Sequence, residues 1–363
     1  MPQRLVACQG PIQLVTAVTV LRQRDRARAD GLAAVWQDHL AILELAVPSG
    51  QERALVDALT GMARALRPWR SIVHVTDSEL EALRRPECLR ALDEVRELYA
   101  VREWQRANEL LFGVFRDAQK ICFGDSIGIY LAPSYMAPAA GLAQRVVRRL
   151  RSAFGRGRRA DCYYLALPAA FDRPPSPDVR VTDLALLRQT LADLKPLLPA
   201  PIVAEVRRRA AGAVLTVLVG SNFSEQGAMS MEAEISAYLA YLAEHAPARR
   251  SLLLLKPHPR DRHEKTAALQ GALRGLFTDV LTLSDEAGLY LPLEALLLEL
   301  QCGEPRPAEV VLCTFSSACL ASRHLLGLAP RVGFGERLVR SHFYKPYVPS
   351  RLRHEAQLVS ACA

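Results

Sequence analysis

The 363-residue sequence lacks the motifs that identify several large enzyme classes. It contains neither G-x-x-x-x-G-K-[ST] nor G-x-G-x-x-G, which weighs against P-loop NTPases, kinases and typical dehydrogenases. It also lacks a run of about 20 unbroken apolar residues, so no transmembrane helix is expected. No repeat of fixed period occurs, which leaves ordinary globular domains as the expected organisation.

Metal-binding patterns are missing as well. The eight cysteines include no C-x-x-C pair, and no histidine flanks a cysteine pair as a zinc site requires. The first half has no Asp-x-Asp pair of the kind that holds a metal ion on a nucleotide diphosphate. We therefore expect buried thiols in a reducing cytoplasm, and a site that uses no metal and no cofactor.

The charge balance is basic, with a net charge of +8 that arginine carries. Arginines are densest between Arg145 and Arg159. This stretch predicts either a solvated helix and loop or a surface that attracts anionic glycans or lipid headgroups. The second interpretation gives a cytoplasmic protein in peripheral contact with an anionic inner-membrane surface. Nucleic acid is not an expected partner, because few aromatic residues are interleaved and no nucleic-acid motif is present.

The first half alternates short apolar runs with helical patterns, which predicts a parallel sheet with helices on both faces. The opening residues predict a strand, a loop at Gly10-Pro11 and a helix from Ile12 rather than a signal peptide. Residues 77–107 predict a mainly helical segment with a break at Pro86. The predicted strands of this half are Leu5–Cys8, Leu40–Leu45, Ser71–Val75, Lys120–Phe123 and Cys162–Leu167.

Prolines concentrate between residues 168 and 202, which predicts an interdomain connection holding one short helix over 183–194. The expected domains are 1–195 and 196–363, with the tail either staying in the second domain or returning to the first. The second half restarts the alternation. Its predicted strands are Ala213–Val219, Ser251–Leu255, Thr278–Leu283 and Glu309–Cys313, and its predicted helices include Glu232–His245 and Ala318–Leu326.

Polar clusters follow the ends of several predicted strands. Ligands of open α/β sheets bind at the carboxyl ends of the strands, so the clusters of each domain should gather at one edge of its sheet. In the first half the cluster is Gly124-Asp125-Ser126, with Gly128 close behind; the glycines permit a tight backbone around the carboxylate. Asp125 is either a general base for a hydroxyl acceptor or an aspartate that forms a turn or caps a helix.

In the second half a strand of four leucines leads into Lys256-Pro257-His258-Pro259-Arg260. Prolines on both sides fix the backbone of His258 and keep it out of a helix. A histidine held in this way can donate a proton or a hydrogen bond to a phosphate oxygen, with Lys256 or Arg260 adding charge. The alternative is an ordinary loop histidine whose hydrogen bonds are satisfied.

Three further features of the second half suggest nucleotide contacts. Ser316 and Ser317 stand between a predicted strand and a predicted helix, where hydroxyls form an anion site or a simple helix cap. Ser221 and Asn222 follow the first predicted strand of this half and are expected to line the nucleotide site. Glu294 begins a helix, where a carboxylate binds the hydroxyls of a ribose or complements the helix dipole.

In their order and spacing these motifs resemble the pattern of bacterial sialyltransferases, most of all the polysialyltransferase-like branch. The resemblance spans roughly residues 4 to 330, and it departs from the family at Ser126, where glycine often follows an acidic pair. The pieces that carry it are the Gly-Asp motif at 124–125, Lys-Pro-His-Pro at 256–259, Ser-Ser at 316–317, Gly10-Pro11-Ile12-Gln13, Asn222-Phe223-Ser224-Glu225 and Pro292-Leu293-Glu294.

The resemblance implies a GT-B fold, in which two Rossmann-like domains face each other across a cleft: 1–195 on the acceptor side and 196–363 binding the CMP sugar. It implies an inverting, metal-independent transfer of sialic acid from CMP-sialic acid to a hydroxyl of a glycan or glycolipid. Asp125 would be the general base, and His258 the acid or hydrogen-bond donor to the leaving phosphate. The residues expected at the phosphate and nucleotide are Lys256, Pro259, Ser316, Ser317, Glu294, Ser221 and Asn222, with the two adjacent serines on the phosphate and Glu294 on the ribose.

Three alternatives stay open at this point. The first is a transferase for another CMP sugar, such as CMP-Kdo. The second is a glycerol-phosphate-type transferase that shares a His-Pro and Ser pattern. A third alternative, from another class, is a non-catalytic protein that binds glycans or anionic surfaces on a GT-B scaffold. Substitution of Asp125 separates an enzyme from a binding protein, because only the enzyme depends on a base.

Overall fold

A computed structural model describes all residues of the chain except 29–34, 46, 49, 82–85, 93, 134–158, 246–250, 278 and 285. The clustered arginines of the sequence lie outside the described residues, apart from Arg159, which is exposed. None of the described helices has both the length and the apolar character needed to cross a bilayer.

The described residues divide into two compact units, each built on its own sheet. The second unit contains Leu194–Ala363 together with the described part of Ala46–Ala58. The first unit contains the other described residues up to Asp193. The last helix, Val348–Cys362, packs against helices Ala318–His324 and Gly335–His342. The tail therefore belongs to the second unit.

The first unit contains a seven-stranded sheet of order β3-β2-β1-β4-β5-β6-β7, and neighbouring strands pair in parallel. The order reverses between β1 and β4, which makes a topological switch point at the carboxyl ends of these strands. The strands are β1 (Gln3–Cys8), β2 (Gln37–Leu43), β3 (Ser71–Val75), β4 (Val95–Ala100), β5 (Gln119–Cys122), β6 (Cys162–Leu165) and β7 (Val179–Val181). Helices of this half of the chain are Pro11–Arg28, Glu52–Leu66, Asp77–Glu81, Arg106–Val114 and Leu184–Ala192, with a 3-10 turn at Glu87–Leu89.

The second unit contains a five-stranded parallel sheet of order β10-β9-β8-β11-β12, with its own reversal between β8 and β11. Its strands are β8 (Val214–Val219), β9 (Ser251–Lys256), β10 (Asp279–Thr282), β11 (Glu309–Thr314) and β12 (Arg331–Val332). Before the last helix its helices are Ala200–Ala210, Met231–His245, His263–Leu273, Glu286–Tyr290, Leu293–Cys302, Ala318–His324 and Gly335–His342, with a 3-10 turn at Lys195–Leu197. Two parallel sheets with helices confirm the expected α/β class.

The expectation of a mainly helical segment over 77–107 is wrong, because β4 runs through its middle. The charged residues in β4 give its sequence the pattern of a helix with one polar face. Glu97 is only 4% exposed, and it is buried in a strand because Arg24 and the hydroxyl of Tyr99 donate to its carboxylate at 2.5 and 2.6 Å. The neighbours β1 and β5 complete the backbone hydrogen bonds of β4, so tertiary pairing overrides the local helical preference.

All eight cysteines are free thiols. Five are buried, as the sequence predicts, whereas Cys88 and Cys302 are exposed and Cys362 is half-buried. The expectation of buried thiols is therefore wrong for these three.

Candidate functional site

In the first unit, three polar side chains from the carboxyl ends of adjacent strands meet at the switch point. Gln13 lies in the first turn of the helix after β1, Arg102 follows β4 and Asp125 follows β5. The guanidinium of Arg102 forms an ion pair with Oδ2 of Asp125, and Nε2 of Gln13 donates to Oδ1 at 3.3 Å. The carboxylate that the sequence singles out is thus held from two neighbouring loops.

The backbone around Asp125 forms a tight turn that depends on its glycines. Gly124 has φ +75°, and a Cβ there would lie 2.6 Å from the carbonyl oxygen of Ile129. Gly128 has φ +95°, and a Cβ there would lie 2.7 Å from the amide nitrogen of Ala166. Both positions therefore require glycine, which explains their presence on either side of the carboxylate.

Ser126 occupies the position at which the sequence departs from the sialyltransferase pattern. Its φ is +51°, a left-handed conformation that glycine adopts more easily than serine. Its N–H donates to Oδ1 of Asp125 at 3.0 Å, and its carbonyl accepts from the hydroxyl of Thr16 at 2.9 Å. The serine thus keeps the backbone conformation that glycine would take, and the turn is preserved.

Asp125 is a carboxylate at neutral pH. Burial by itself would raise its pKa, but the charge of Arg102 and the hydrogen bonds from Arg102, Ser126 and Gln13 outweigh burial and lower the pKa. Its side chain is 24% exposed, so a hydroxyl can reach it. A lowered pKa makes Asp125 a weaker proton acceptor than an ordinary aspartate, although at neutral pH it is in the form that accepts a proton.

Sequence reasoning did not assign Arg102 or Gln13 to the site. Arg102 lies in the segment that was predicted to be helical, and its guanidinium stacks 4.5 Å from the ring centre of Trp104. The apolar run over 98–101, followed by Arg102, is the same strand-then-polar signal that identifies Asp125. Gln13 belongs to the opening motif of the resemblance, but its partner lies more than one hundred residues away in sequence.

In the second unit, the register of the sheet aligns the ends of three neighbouring strands. Val219 of β8 pairs with Lys256 of β9 on one side and with Thr314 of β11 on the other. The loops that carry His258 and Ser316 therefore leave the same edge at the same level, about 10 Å apart at a strand spacing of about 4.8 Å. The loop with Ser221 and Asn222 lies between them.

His258 has a defined tautomer. Its Nδ1 accepts a hydrogen bond from the backbone N–H of Arg260 at 3.0 Å, and its own backbone N–H donates to Oδ2 of Asp261 at 2.9 Å. Since a backbone N–H can only donate, Nδ1 is unprotonated and the neutral ring carries its proton on Nε2. Burial, together with the charges of Arg260, Lys265 and Lys256, lowers the pKa of His258 to about 3, so the ring is neutral at physiological pH. His258 is therefore a fixed Nε2–H donor.

The side chains of Lys256 and Glu294 are both buried, whereas a phosphate site on the protein surface would have exposed side chains. The ammonium of Lys256 donates to the carbonyl oxygen of Leu289 at 2.5 Å and to that of Gly288. Glu294 is 8% exposed, and burial raises its pKa against the opposing effects of its own backbone N–H and of Lys256. Pro259 is partly exposed beside His258.

Ser221 and Asn222 are both buried by the elements behind them. The N–H of Ser221 donates to the hydroxyl of Tyr238 at 2.8 Å, and Oδ1 of Asn222 accepts from Gln226 at 2.7 Å. The Oγ of Ser221 is buried and has no hydrogen-bond partner among the described residues. These two residues shape the loop between β8 and the following helix.

Ser316 and Ser317 are partly exposed at the end of β11. The N–H of Ser316 donates to Oγ1 of Thr314 at 3.4 Å, and its Oγ accepts from the N–H of Ala318 at 3.5 Å. The hydroxyl of Ser317 makes no capping bond to the seven-residue helix that follows. Across the described ranges, no group of three or more His, Cys, Asp or Glu side chains is arranged to hold a metal ion.

The chain matches the model of the alpha-2,8-polysialyltransferase (POLYST) family over residues 96–329. It belongs to this family. The match confirms the resemblance, and it makes the chain a sialyltransferase-type glycosyltransferase. The segment of this chain that matches the family model begins in β4 and includes the loops of Asp125, His258, Glu294 and Ser316-Ser317. No curated protein matches the chain.

Several solved structures are similar to this POLYST-family chain in fold. UDP-GlcNAc 2-epimerase from Neisseria meningitidis bound to UDP-GlcNAc matches at 11% identity and a TM-score of 0.52, covering 99% of this chain and 91% of that chain. The S. aureus MnaA–UDP co-structure matches at 11% identity and a TM-score of 0.52, covering 95% and 81%. An α/β-galactoside α-2,3-sialyltransferase from Photobacterium phosphoreum matches at 8% identity and a TM-score of 0.42, covering 92% and 98%. The first two confirm an α/β fold of the GT-B type.

Proposed function

We propose that this chain transfers sialic acid from CMP-sialic acid to a hydroxyl of a glycan or glycolipid, with inversion at the anomeric carbon. The observation that carries the proposal is the fixed Nε2–H of His258 at the sheet edge that also bears Ser316 and Ser317, within the POLYST match. We place the reaction in the cytoplasm, with the arginines between 145 and 159 bringing the protein to an anionic membrane surface.

The chemistry of the substrate sets the tasks. The anomeric carbon of sialic acid is tertiary and bears a carboxylate, so its bond to the phosphate oxygen breaks through an oxocarbenium-like state. The acceptor oxygen forms the new bond to carbon, its proton passes to a base, and CMP leaves with the electron pair of the broken bond. The protein must therefore stabilise the departing phosphate and accept one proton.

The second unit supplies groups for the departing phosphate. The Nε2–H of His258 and the hydroxyls of Ser316 and Ser317 donate hydrogen bonds, which strengthen as negative charge develops on the phosphate. A neutral imidazole gives a hydrogen bond rather than a full proton, which suits a leaving group that is already acidic. Hydroxyl and imidazole donors of this kind require no metal ion. In the proposal, the carboxylate of Glu294 binds the ribose of CMP.

Lys256, Pro259, Ser221 and Asn222 have a less direct place in the proposal. Lys256 fixes the carbonyls of Gly288 and Leu289, just before the segment that leads to Glu294. Pro259 keeps the backbone of His258 rigid, and Ser221 and Asn222 form the loop between the His258 loop and Ser316. We propose that they shape the nucleotide site.

The first unit supplies the base. Asp125 is ionised and partly exposed, and Arg102 and Gln13 fix its orientation. In the transition state this positioned carboxylate gains a proton as the acceptor oxygen loses one. Each unit thus contributes one catalytic group in the proposal.

The proposal predicts which sugar donor is consumed. Incubated with CMP-sialic acid and an oligosialic acid or lactoside acceptor, the protein should release CMP and extend the acceptor, and excess EDTA should leave the rate unchanged. CMP-Kdo and a CDP-glycerol donor should give no product. If product forms only with CMP-Kdo or only with CDP-glycerol, the chain is the corresponding alternative transferase. If EDTA abolishes activity and magnesium or manganese restores it, the proposal of a metal-free site is refuted.

The substitution Ser317→Ala should weaken CMP binding by about 10- to 100-fold, because it removes one hydrogen bond to a charged group. Isothermal titration with CMP measures the change. Ser341→Ala is the matched control, since its hydroxyl bonds groups of its own exposed helix: the carbonyls of Arg337 and Leu338 at 3.0 and 3.2 Å, and Nδ1 of His342 at 2.8 Å. Equal CMP affinity in the two variants would remove Ser317 from the phosphate site.

A further inference from the structure

A buried lysine lies directly behind the His258 loop. Lys265 is 1% exposed, and its Nζ lies 2.8 Å from Oδ1 of Asp261 and 2.9 Å from carboxylate oxygens of Glu225 and Glu234. It also donates to the carbonyl oxygen of Ser221 at 2.8 Å. One ammonium group, almost fully buried, therefore lies among three carboxylates and a backbone carbonyl.

Burying this much charge is costly, and such a cluster is retained only when every group is well paired. Burial would lower the pKa of Lys265, but the charges of Glu234 and Asp261 and their hydrogen bonds raise it, so the side chain is an ammonium. Burial raises the pKa of Asp261 to about 7 against the opposing effect of Lys265. The ammonium of Lys265 therefore favours the carboxylate form of Asp261, and loss of the lysine would raise the pKa of Asp261 further.

The cluster connects two of the loops at the sheet edge. Asp261 gives one oxygen to Lys265 and the other to the backbone N–H of His258. Lys265 also holds the carbonyl of Ser221, in the loop after the neighbouring strand β8. Glu234 accepts from the N–H and hydroxyl of Ser224 at 2.8 and 2.7 Å, which anchors the same loop.

We infer that Lys265 and Asp261 are positioning residues, which hold the His258 loop so that Nδ1 meets the N–H of Arg260 and Nε2–H is presented to the donor phosphate. This inference rests on the proposed function for the identity of the phosphate. The chain of contacts runs from Lys265 through Asp261 to the backbone of His258, and none of these steps involves the substrate. The two residues act through His258 and do not touch the reacting atoms.

The tautomer of His258 distinguishes positioning from a merely stabilising role. In the wild-type protein, ¹⁵N NMR of the imidazole should show the Nε2–H form alone. In Lys265→Met and in Asp261→Asn the loop loses its anchor, so a mixture of Nδ1–H and Nε2–H forms should appear. The CMP dissociation constant should rise about tenfold, as expected when one well-placed hydrogen bond is lost.

Arg351→Met is a stringent control for this test. Arg351 is also 1% exposed in the second unit, where it pairs with Glu355 at 2.7 Å and packs on the ring of Phe223. Its loss should lower the melting temperature yet leave the His258 tautomer and the CMP affinity as in the wild type. Should Lys265→Met fail to fold, Asp261→Asn alone decides the outcome, because it removes one charge and keeps the volume.

The inference is overturned if both Lys265→Met and Asp261→Asn keep the wild-type tautomer and CMP affinity, or if Arg351→Met changes these quantities as much. A wild-type protein that binds no CMP would contradict the proposed function instead. The NMR measurement needs no ligand, so it tests the positioning role in either case.

Discussion

Asp125→Asn is expected to slow sialyl transfer by about 10²–10⁴-fold, the usual cost of removing a general base. CMP affinity should stay nearly unchanged, because Asp125 belongs to the first unit, whereas the loops proposed to bind the phosphate belong to the second. Steady-state transfer rates and calorimetric titration with CMP measure the two quantities. The substitution removes the negative charge and the ability to accept a proton, while the volume stays the same.

The asparagine should preserve the local fold, which makes the result interpretable. Its side-chain oxygen can still accept the N–H of Ser126 and the amide of Gln13, both of which bond Oδ1 in the wild type. Arg102 loses its anionic partner, but its side chain is 18% exposed and can be hydrated. Asp172→Asn is the matched control, since Asp172 also accepts a backbone N–H, from Ala132 at 3.0 Å in the same unit.

The same experiment decides between the two interpretations of Asp125. A turn-forming aspartate needs only its oxygen acceptor, so Asp125→Asn would then transfer sialic acid at the wild-type rate, as Asp172→Asn should. Such a result would remove Asp125 from the mechanism and leave it the role of shaping the turn between Gly124 and Gly128.

His258→Ala is expected to lower both the rate and the affinity for CMP. In the proposed mechanism, Nε2–H of His258 bonds the phosphate in the ground state and bonds it more strongly in the transition state, so its loss affects binding and catalysis together. We expect a fall of about 10²–10³-fold in rate, comparable to the loss of one oxyanion donor. CMP binding should weaken by about tenfold or more.

His258→Asn separates the two ring nitrogens. The side-chain oxygen of asparagine can occupy the place of Nδ1 and accept the N–H of Arg260, but no donor takes the place of Nε2–H. This variant should therefore be as impaired as alanine if the donor matters, and close to the wild type if His258 only supports the loop. His263→Ala is the control, because His263 is exposed at the start of the next helix.

The pair of variants gives opposite patterns in titration with CMP: Asp125→Asn binds and His258→Ala binds poorly. The reverse pattern, with CMP bound by the His258 variant and lost in the Asp125 variant, would exchange the roles of the two units.

The sequence by itself was sufficient for the class of fold and for several of the strands that lead into the polar loops. Buried apolar strands have a period and composition that local reading detects, as at β1, β5, β8, β9 and β11. Glycines and prolines mark backbone constraints that are also local: Gly124 and Gly128 at positive φ, and the two prolines around His258. The order of such motifs along the chain was enough to predict the family that the comparison with known families confirms.

Only the tertiary structure decided which side chains meet. β4 was missed because its charged residues are buried through partners on other elements, and the same error concealed Arg102, the partner of Asp125. The tautomer of His258 depends on a hydrogen bond within its own loop, but that loop is anchored through Asp261 to Lys265 and the loop after β8. Local patterns report the backbone of one element, whereas the ionisation of a carboxylate or the proton of an imidazole depends on charges that folding brings together from distant positions.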